Sequence, residues 1–320
     1  MKRRLFDLLR LILTLLLVTW VLSRISLSQA WDLISQASVL PLLAALILFA
    51  FSVVAGAWQW GRFLGSQGIP VTFRQVLELY WVGLFFNNFL PGNVGGDFVK
   101  VWDLRRSRQD TLASATATLA DRLTGLSALA FLALMAAIPL RGDPELAAIA
   151  NGVLLGAGLF LLGVLLFMLD PVATIIRRLA QTLGLFSEDG LRGRLLERLR
   201  LLRTHRRLLM GLFVFSLVVQ SLRVGVHWLV CLALVGGDTP AFREFFLAVP
   251  PLAFALTLPV TIGGLGLREG LAIPLFSPLG LVGEVPVTLQ FAAYLLMLLV
   301  SLVGGLIFLA RQRRLPPSEG

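Results

Sequence analysis

Long apolar stretches are the feature that most restricts how this chain can fold. A transmembrane helix needs about 20 consecutive apolar residues. Six stretches meet that length, at about 4–23, 39–61, 112–140, 147–169, 208–235 and 286–310. Charged residues make up 14% of the 320 positions, against about 25% in a soluble domain. The sequence therefore predicts an all-α polytopic membrane protein with about six full spans, the first retained and not cleaved as a signal peptide.

Two further apolar segments, at about 75–104 and 244–280, are interrupted. Each has a short apolar arm, a break rich in proline and glycine, and a second short arm. The breaks read LPGNVGGDFVK, ending at Lys100, and LPVTIGGLGLR, ending at Arg268. Neither arm is long enough to span a bilayer. The pattern predicts two re-entrant or broken helical hairpins.

The two breaks are also copies of one pattern. Leu-Pro, a β-branched residue before Gly-Gly, and a final base recur with a spacing of 168 residues, from Leu90 to Leu258 and from Lys100 to Arg268. The copies divide the chain into a first repeat, 1–146, and a second, 147–320. Two independently kinked helices are the alternative reading.

Orientation follows from the basic residues, which concentrate in cytoplasmic loops. The N-terminal MKRR, the C-terminal RQRR and the segment 170–207 are rich in arginine or lysine. We therefore expect both termini on the cytoplasmic side of the cytoplasmic (inner) membrane. The first hairpin must then enter from the cytoplasm and the second from outside. This arrangement is an inverted-topology repeat, which is common in secondary transporters.

Both breaks suit an anion such as phosphate or carboxylate. A helix N-terminus offers free N–H groups, and glycine lets a ligand approach the backbone. The predicted contacts are Gly95, Gly96, Lys100, Gly263, Gly264 and Arg268. Asp97 can pair with Lys100 or cap its own helix, whereas Leu265 holds the equivalent place in the second copy. The second break is therefore the better anion site, although Glu269 is adjacent to Arg268.

Charged residues inside the spans are costly, at about 2.5–3.5 kcal/mol each. Asp121 and Arg122 are adjacent and point about 100° apart on a helix, so Arg122 needs a partner elsewhere. Arg223 and His227 share a helix face. We expect Arg122 and Arg223 to contact an anion, with snorkelling to the interface as the alternative. The candidate proton or ion-pair groups are Asp97, Asp121, Glu269 and His227.

The remaining sequence features concern lipid contact, nucleic acid, metals, oligomers and catalysis. The segment 170–207 alternates leucine and arginine, which predicts an amphipathic helix on anionic inner-leaflet lipids. This segment and the other basic loops account for the net charge of +10 without nucleic acid. The single cysteine and two distant histidines predict no metal and no cofactor. Gly152 and Gly156 give a small-xxx-small face, and a homo-oligomer is a candidate. We find no catalytic motif and expect no enzyme activity.

Three stretches carry a family resemblance: NNFLPGNVGGDFVK, LADRLTGL and LPVTIGGLGLREG. They resemble the transmembrane, flippase-like region of lysylphosphatidylglycerol synthases, over nearly the whole chain. The resemblance implies movement of a modified phospholipid between leaflets. We expect a stand-alone member of that family, without the soluble synthase domain.

These observations lead to one main hypothesis and two alternatives. The main one is a membrane lipid flippase or transporter for an anionic or phosphate-bearing lipid, either a phospholipid or an isoprenoid-linked lipid. Its head group would lie between the two hairpins. One alternative is an integral-membrane glycosyl or head-group transferase that uses Asp97 or Glu269 as a base. The other is a membrane subunit that transports nothing.

Overall fold

The computed structural model of the protein describes residues 26–90, 95–107, 109–168 and 205–312, with single positions at Thr19, Arg194, Arg198 and Leu202. Ten α-helices make up most of these residues: α1 (Leu27–Ser35), α2 (Val39–Ser66), α3 (Phe73–Asn87), α4 (Gly95–Arg106), α5 (Thr111–Leu140), α6 (Ala147–Met168), α7 (Arg206–Val235), α8 (Phe245–Thr257), α9 (Leu267–Phe276) and α10 (Val285–Gln312).

Five of these helices, α2, α5, α6, α7 and α10, are long and apolar enough to cross a membrane. They coincide with five of the six predicted spans, and the chain is an all-α polytopic membrane protein. The sixth predicted span, at 4–23, lies outside the described residues except for Thr19. The basic segment 170–207 lies almost entirely outside them as well.

The remaining long elements form two helix pairs, as predicted. Helix α3 begins with a capping box between Thr72 and Gln75 and packs against α4. Helix α8 likewise packs against α9. The four arms have 15, 12, 13 and 10 residues, each shorter than the roughly 20 residues of a full span.

The helices pack in a pattern that recurs between the two halves. The long helices α2 and α7 lie side by side. Helix α3 packs on α10 and α8 packs on α5, while α2 contacts α5 and α7 contacts α10. Each pair maps onto the other when α2, α3, α4 and α5 exchange with α7, α8, α9 and α10. This pairing supports the repeat of 1–146 and 147–320, which remains a proposal.

Small residues allow the closest approach between helices. A Cβ added at Gly304 of α10 would lie 2.0 Å from the carbonyl oxygen of Trp81 in α3, so α10 touches the α3 backbone there. By contrast, a Cβ at Gly152 or Gly156 of α6 would meet nothing within 4 Å among the described residues. The small-residue face of α6 thus packs against no part of the described chain, and the homo-oligomer remains a prediction.

Candidate functional site

A cavity of about 270 Å³ lies where the two halves meet. Its walls come from α2 to α5 of the first half and from α7 to α10 of the second. Among the described residues, four bases and one acid line it: Lys100, Arg122, Arg223, Arg268 and Asp121. The structure therefore brings all four predicted basic contacts to one cavity. His227 lines the same cavity, whereas Asp97 lies behind Lys100 and Arg122.

Asp97 joins two of these bases. Its Oδ1 atom lies 2.7 Å from Lys100 Nζ, and its Oδ2 atom accepts a 2.6 Å hydrogen bond from Arg122 Nε. Asp97 and Lys100 are buried, and the Arg122 side chain is about one-third exposed. The predicted pairing of Asp97 with Lys100 is confirmed. Arg122 finds its partner on another helix, which is the outcome expected from its position beside Asp121.

Lys100 also lies in an aromatic pocket that sequence reasoning missed. Its Nζ is 4.7 Å from the ring centroid of Trp60 and 4.7 Å from that of Tyr80, within range of a cation–π attraction. The Tyr80 hydroxyl accepts a 3.2 Å hydrogen bond from Arg223 Nη2. A continuous set of contacts therefore runs from Arg223 in the second half to Asp97 in the first.

Asp121 and His227 have different surroundings. Asp121 Oδ1 accepts a 2.8 Å hydrogen bond from Gln59 Nε2. Asp121 forms no ion pair within the described part of the chain. The Nδ1 atom of His227 lies 3.1 Å from the carbonyl oxygen of Arg223, one turn earlier in α7. His227 is thus tied to its own helix, and Asp121 to α2.

Arg268 is a buried base that has no carboxylate partner in the described structure. It is 8% exposed, its Nη2 donates to the Gly263 carbonyl at 3.3 Å, and its guanidinium lies 4.3 Å from the ring centroid of Tyr294. Its Nη1 has no hydrogen-bond partner among the described residues. No carboxylate in the described ranges lies within 4.0 Å of its nitrogens.

Glu269, the adjacent acid, serves a different purpose. Its Oε2 accepts a 2.7 Å hydrogen bond from the Gly266 N–H and so caps the start of α9. An N-terminal carboxylate is favourable there because the helix dipole is positive at that end. Glu269 therefore leaves the Arg268 guanidinium without a hydrogen-bonded counter-ion.

The glycines of the first break lie in close packing contacts. A Cβ at Gly96 would lie 1.9 Å from the Gly83 carbonyl oxygen, so α3 and α4 touch there. The Gly96 N–H donates to Asn87 Oδ1 at 2.6 Å and is not free to bind an anion in this conformation. A Cβ at Gly95 would collide with Leu90 at 2.2 Å. Anion binding by Gly95 and Gly96 remains a prediction.

The asparagines at the end of α3 satisfy backbone groups. Asn87 accepts from Gly96, and Asn88 Nδ2 donates to the carbonyl oxygens of Leu84 and Phe85, both at 3.2 Å. Asn88 Nδ2 also donates to Ser301 Oγ of α10 at 2.9 Å. This hydrogen bonding is needed because an unpaired backbone group at membrane depth is costly.

The second break contacts the end of α3 through Gly263. Gly263 and Gly264 have φ angles of +60° and +77°, which non-glycine residues rarely adopt. A Cβ at Gly263 would lie 2.5 Å from the Asn88 carbonyl oxygen. The second break therefore meets the end of α3 at this glycine, and the carbonyl of Gly263 also accepts the Arg268 hydrogen bond.

Sequence reasoning missed several residues that complete the site. They are polar or aromatic positions inside apolar spans: Gln59, Trp60, Tyr80, Gln290 and Tyr294. Gln290 is fully buried, and neither its amide oxygen nor its amide nitrogen has a hydrogen-bond partner in the described structure. One signal was available, because Tyr80 and Tyr294 are the only two tyrosines in the chain.

Comparison with known proteins agrees with this architecture. A UPF0104 membrane protein of Pyrococcus horikoshii is 24% identical over 347 aligned positions that cover the whole of both chains. A UPF0104 membrane protein of Methanothermobacter thermautotrophicus is 24% identical over 292 positions, 82% of each chain. Residues 8–307 match the family described as the lysylphosphatidylglycerol synthase TM region. The chain therefore belongs to the family of lysylphosphatidylglycerol synthase transmembrane regions.

Proposed function

We propose that the protein is a lipid flippase or transporter that moves an anionic or phosphate-bearing lipid between the membrane leaflets. The head group would occupy the cavity between the two helix pairs, against Arg268, Arg223, Arg122 and Lys100. The observation that carries this proposal is the buried Arg268 guanidinium, which lines the cavity with no carboxylate partner in the described structure.

Electrostatics support an anionic ligand. A buried charge without a counter-ion is strongly unfavourable, so the Arg268 side chain is expected to acquire an anion when one can enter. A guanidinium binds phosphate through two parallel hydrogen bonds, and Nη1 of Arg268 is unpartnered. Asp97 already offsets part of the charge of Lys100 and Arg122. We therefore place the phosphate nearest Arg268, with Arg223 as the second contact.

Cavity size supports a head group and not a whole lipid. Pockets for drug-sized ligands usually measure about 300–1,000 Å³, and this cavity measures about 270 Å³. The acyl or isoprenoid chains would then remain in the bilayer. A phospholipid and an isoprenoid-linked lipid present the same phosphate chemistry, so the head group of either would suit the cavity.

The position of the site between two repeats supports transport. Secondary transporters with inverted repeats hold their substrate where broken helices meet, and they expose the site alternately to each side. Residues 1–146 and 147–320 would be those repeats, with both termini in the cytoplasm. The segment 170–207 would bind anionic lipids of the inner leaflet.

The transferase alternative receives less support. A catalytic base must be free to accept a proton within reach of the substrate. Asp97 is held by two cations, and one Glu269 oxygen caps α9. Neither side chain lines the cavity. If the protein were a subunit that transports nothing, neutralising Arg268 would leave its function intact.

The test is translocation by purified protein in vesicles of phosphatidylcholine that contain a trace of acyl-labelled fluorescent phosphatidylglycerol. A membrane-impermeant quencher added outside removes the outer-leaflet signal only, unless lipid crosses. We expect quenching to run nearly to completion with the protein and to stop at about half without it. A parallel arm uses a labelled isoprenoid phosphate. Folded protein that moves neither lipid would overturn the proposal.

A further inference from the structure

Asp121, the acid on the cavity wall, has a neighbour that can hydrogen-bond to its protonated form. Gln59 is 4% exposed, and its Nε2 donates to Asp121 Oδ1 at 2.8 Å. The amide oxygen of the same side chain, Oε1, is buried and has no hydrogen-bond partner in the part of the chain that the structure describes. An orphaned buried acceptor is rare in proteins and calls for an explanation.

A protonated Asp121 would supply the missing donor. A carboxylic acid has one O–H donor and retains acceptor capacity, while a primary amide offers an N–H and a C=O side by side. The two groups can therefore form a cyclic pair after a small side-chain rotation, with Gln59 Nε2 donating to Oδ1 and the Asp121 O–H donating to Gln59 Oε1. Gln59 thus serves both the ionised and the protonated acid.

We propose that Asp121 and Gln59 form a proton-binding site, and that this site takes up one proton when an anionic head group enters the cavity. The proposal rests on the proposed function and adds its coupling ion. The step is Asp121–COO⁻ + H₃O⁺ → Asp121–COOH + H₂O, with the hydronium ion supplied by the aqueous phase. No other bond changes.

The charges around Asp121 link the two events. Lys100 and Arg122 line the cavity together with Asp121, and their positive charges favour its ionised form. Arg223 lines the same cavity. An incoming phosphate would pair with these cations, and its own negative charge would repel the ionised Asp121 carboxylate. Proton and anion therefore favour each other's binding, and this coupling is reciprocal by thermodynamic necessity.

The other charged or histidine side chains that line the cavity in the described structure are Lys100, Arg122, Arg223, His227 and Arg268, and none of them is an acid. Helices α6 and α8, which pack against α5, contain no titratable side chain. The 3₁₀ turn Phe242–Glu244 also packs against α5, and its charged residues, Arg243 and Glu244, do not line the cavity. Of the four candidate proton groups, Asp121 alone is a cavity-lining acid.

The test measures proton uptake on binding, with short-chain dihexanoyl phosphatidylglycerol as the probe in detergent. Calorimetry in buffers of different ionisation enthalpy counts the protons. We expect uptake of close to one proton per bound probe for the wild type and none for Asp121→Asn, which should still bind. The matched control is Asp110→Asn, at the acid that caps the N-terminus of the same helix outside the cavity, which should behave as the wild type. Equal uptake by Asp121→Asn and the wild type would overturn the proposal.

An infrared titration separates failure of this proposal from failure of the proposed function. Acidifying the lipid-free protein should produce the C=O stretch of a carboxylic acid that is absent from Asp121→Asn and present in Asp110→Asn. If the probe does not bind, the proposed function is contradicted, and the infrared result still decides whether Asp121 binds a proton. If the two variants give the same spectra, Asp121 is not the proton site.

Sealed vesicles give the functional consequence. With one proton carried per lipid, a pH difference of one unit should drive a leaflet ratio of about ten for labelled phosphatidylglycerol, because one pH unit and a tenfold ratio are equal in free energy. Asp121→Asn should give a ratio of about one at the same gradient. A wild-type ratio that does not respond to the gradient would show that the proton is not coupled to transport.

Discussion

The guanidinium of Arg268 lies over the ring of Tyr294, with 4.3 Å between Cζ and the ring centroid. Lys100 lies over the ring of Tyr80 at 4.7 Å, so each interrupted segment holds its base against one of the two tyrosines. The two sites differ in their acids. Asp97 pairs with Lys100, whereas no described carboxylate pairs with Arg268. Lys100 thus has a carboxylate partner within the described protein, and Arg268 is the base that we propose binds the ligand.

Removing the Asp97 carboxylate should destabilise the fold. Asp97→Asn leaves Lys100 and Arg122 without their shared counter-ion, and breaking a buried pair costs about 3–5 kcal/mol. We expect about 3 kcal/mol, because the Arg122 side chain is one-third exposed. Thermal unfolding in detergent measures the loss.

A double variant and a surface control define that result. Asp97→Asn combined with Lys100→Met should recover part of the stability, because one of the two orphaned cations is also removed. Glu78→Gln breaks the exposed Arg74–Glu78 pair and should cost at most about 0.5 kcal/mol. Equal losses for Asp97→Asn and Glu78→Gln would contradict the assignment of Asp97 as a buried counter-ion.

Gly96 is predicted to tolerate no side chain, whether or not lipid is present. A Cβ there would meet the Gly83 carbonyl oxygen at 1.9 Å, and backbone atoms in a packed helix pair cannot withdraw easily. Gly96→Ala should therefore lower the thermal unfolding temperature by several degrees in lipid-free detergent. Gly211→Ala, where nothing lies within 4 Å among the described residues, is the control and should be neutral. If Gly96→Ala affects lipid binding alone, the packing role is wrong.

Gly263 combines a strained backbone angle with a close contact, and a second glycine separates the two effects. Gly280 has a φ angle of +83° and open space around its Cβ position. Gly280→Ala should cost about 1 kcal/mol from the left-handed backbone alone. Gly263→Ala should cost at least about twice as much, because its Cβ also meets the Asn88 carbonyl at 2.5 Å. Equal costs in parallel unfolding measurements would mean that the second break does not touch the end of α3 at Gly263.

Asp110 should make the stability of α5 depend on pH. Burial acts to raise the pKa of its carboxyl, but the N–H groups of Ala113 and Leu112 and the Arg198 guanidinium outweigh this and hold the pKa below its ordinary value of 3.8. The stabilisation is thus present above pH 3.8 and is lost as the pH falls through the lowered pKa. Asp110→Asn keeps a helix cap and should flatten the fall in unfolding temperature towards about pH 3. An unchanged acid response would refute this role.

The sequence was sufficient to predict the spans and the interrupted segments, because both depend on local composition. The breaks after Leu90 and Leu258 could be located since proline and clustered glycine interrupt an apolar run. The pairing of Asp97 with Lys100 was also accessible, because residues three apart on a helix are neighbours. These predictions needed no knowledge of how the helices pack.

Contacts between helices could not be predicted from local sequence in the same way. The pair of Arg122 with Asp97 joins α5 to α4, and Trp60 and Tyr80 surround Lys100 from α2 and α3. Their positions depend on helix rotation and crossing, which the sequence does not specify. Helix packing also gives Gly96 a structural role that the adjacent sequence does not indicate. The Gly83 carbonyl oxygen lies where a Cβ of residue 96 would be, and the Gly96 N–H donates to Asn87 Oδ1.

The most direct test of the central claim compares lipid translocation by the wild type and Arg268→Gln in the same vesicles. Charge-assisted hydrogen bonds contribute about 1.5–3 kcal/mol, so we expect transport of labelled phosphatidylglycerol to fall by about tenfold or more. The unfolding temperature should stay the same or rise, because the substitution removes a buried charge that no described carboxylate offsets. Arg141→Gln, an exposed arginine at the end of α5, should transport as the wild type does. Folded Arg268→Gln protein that moves the lipid at the wild-type rate would contradict the account.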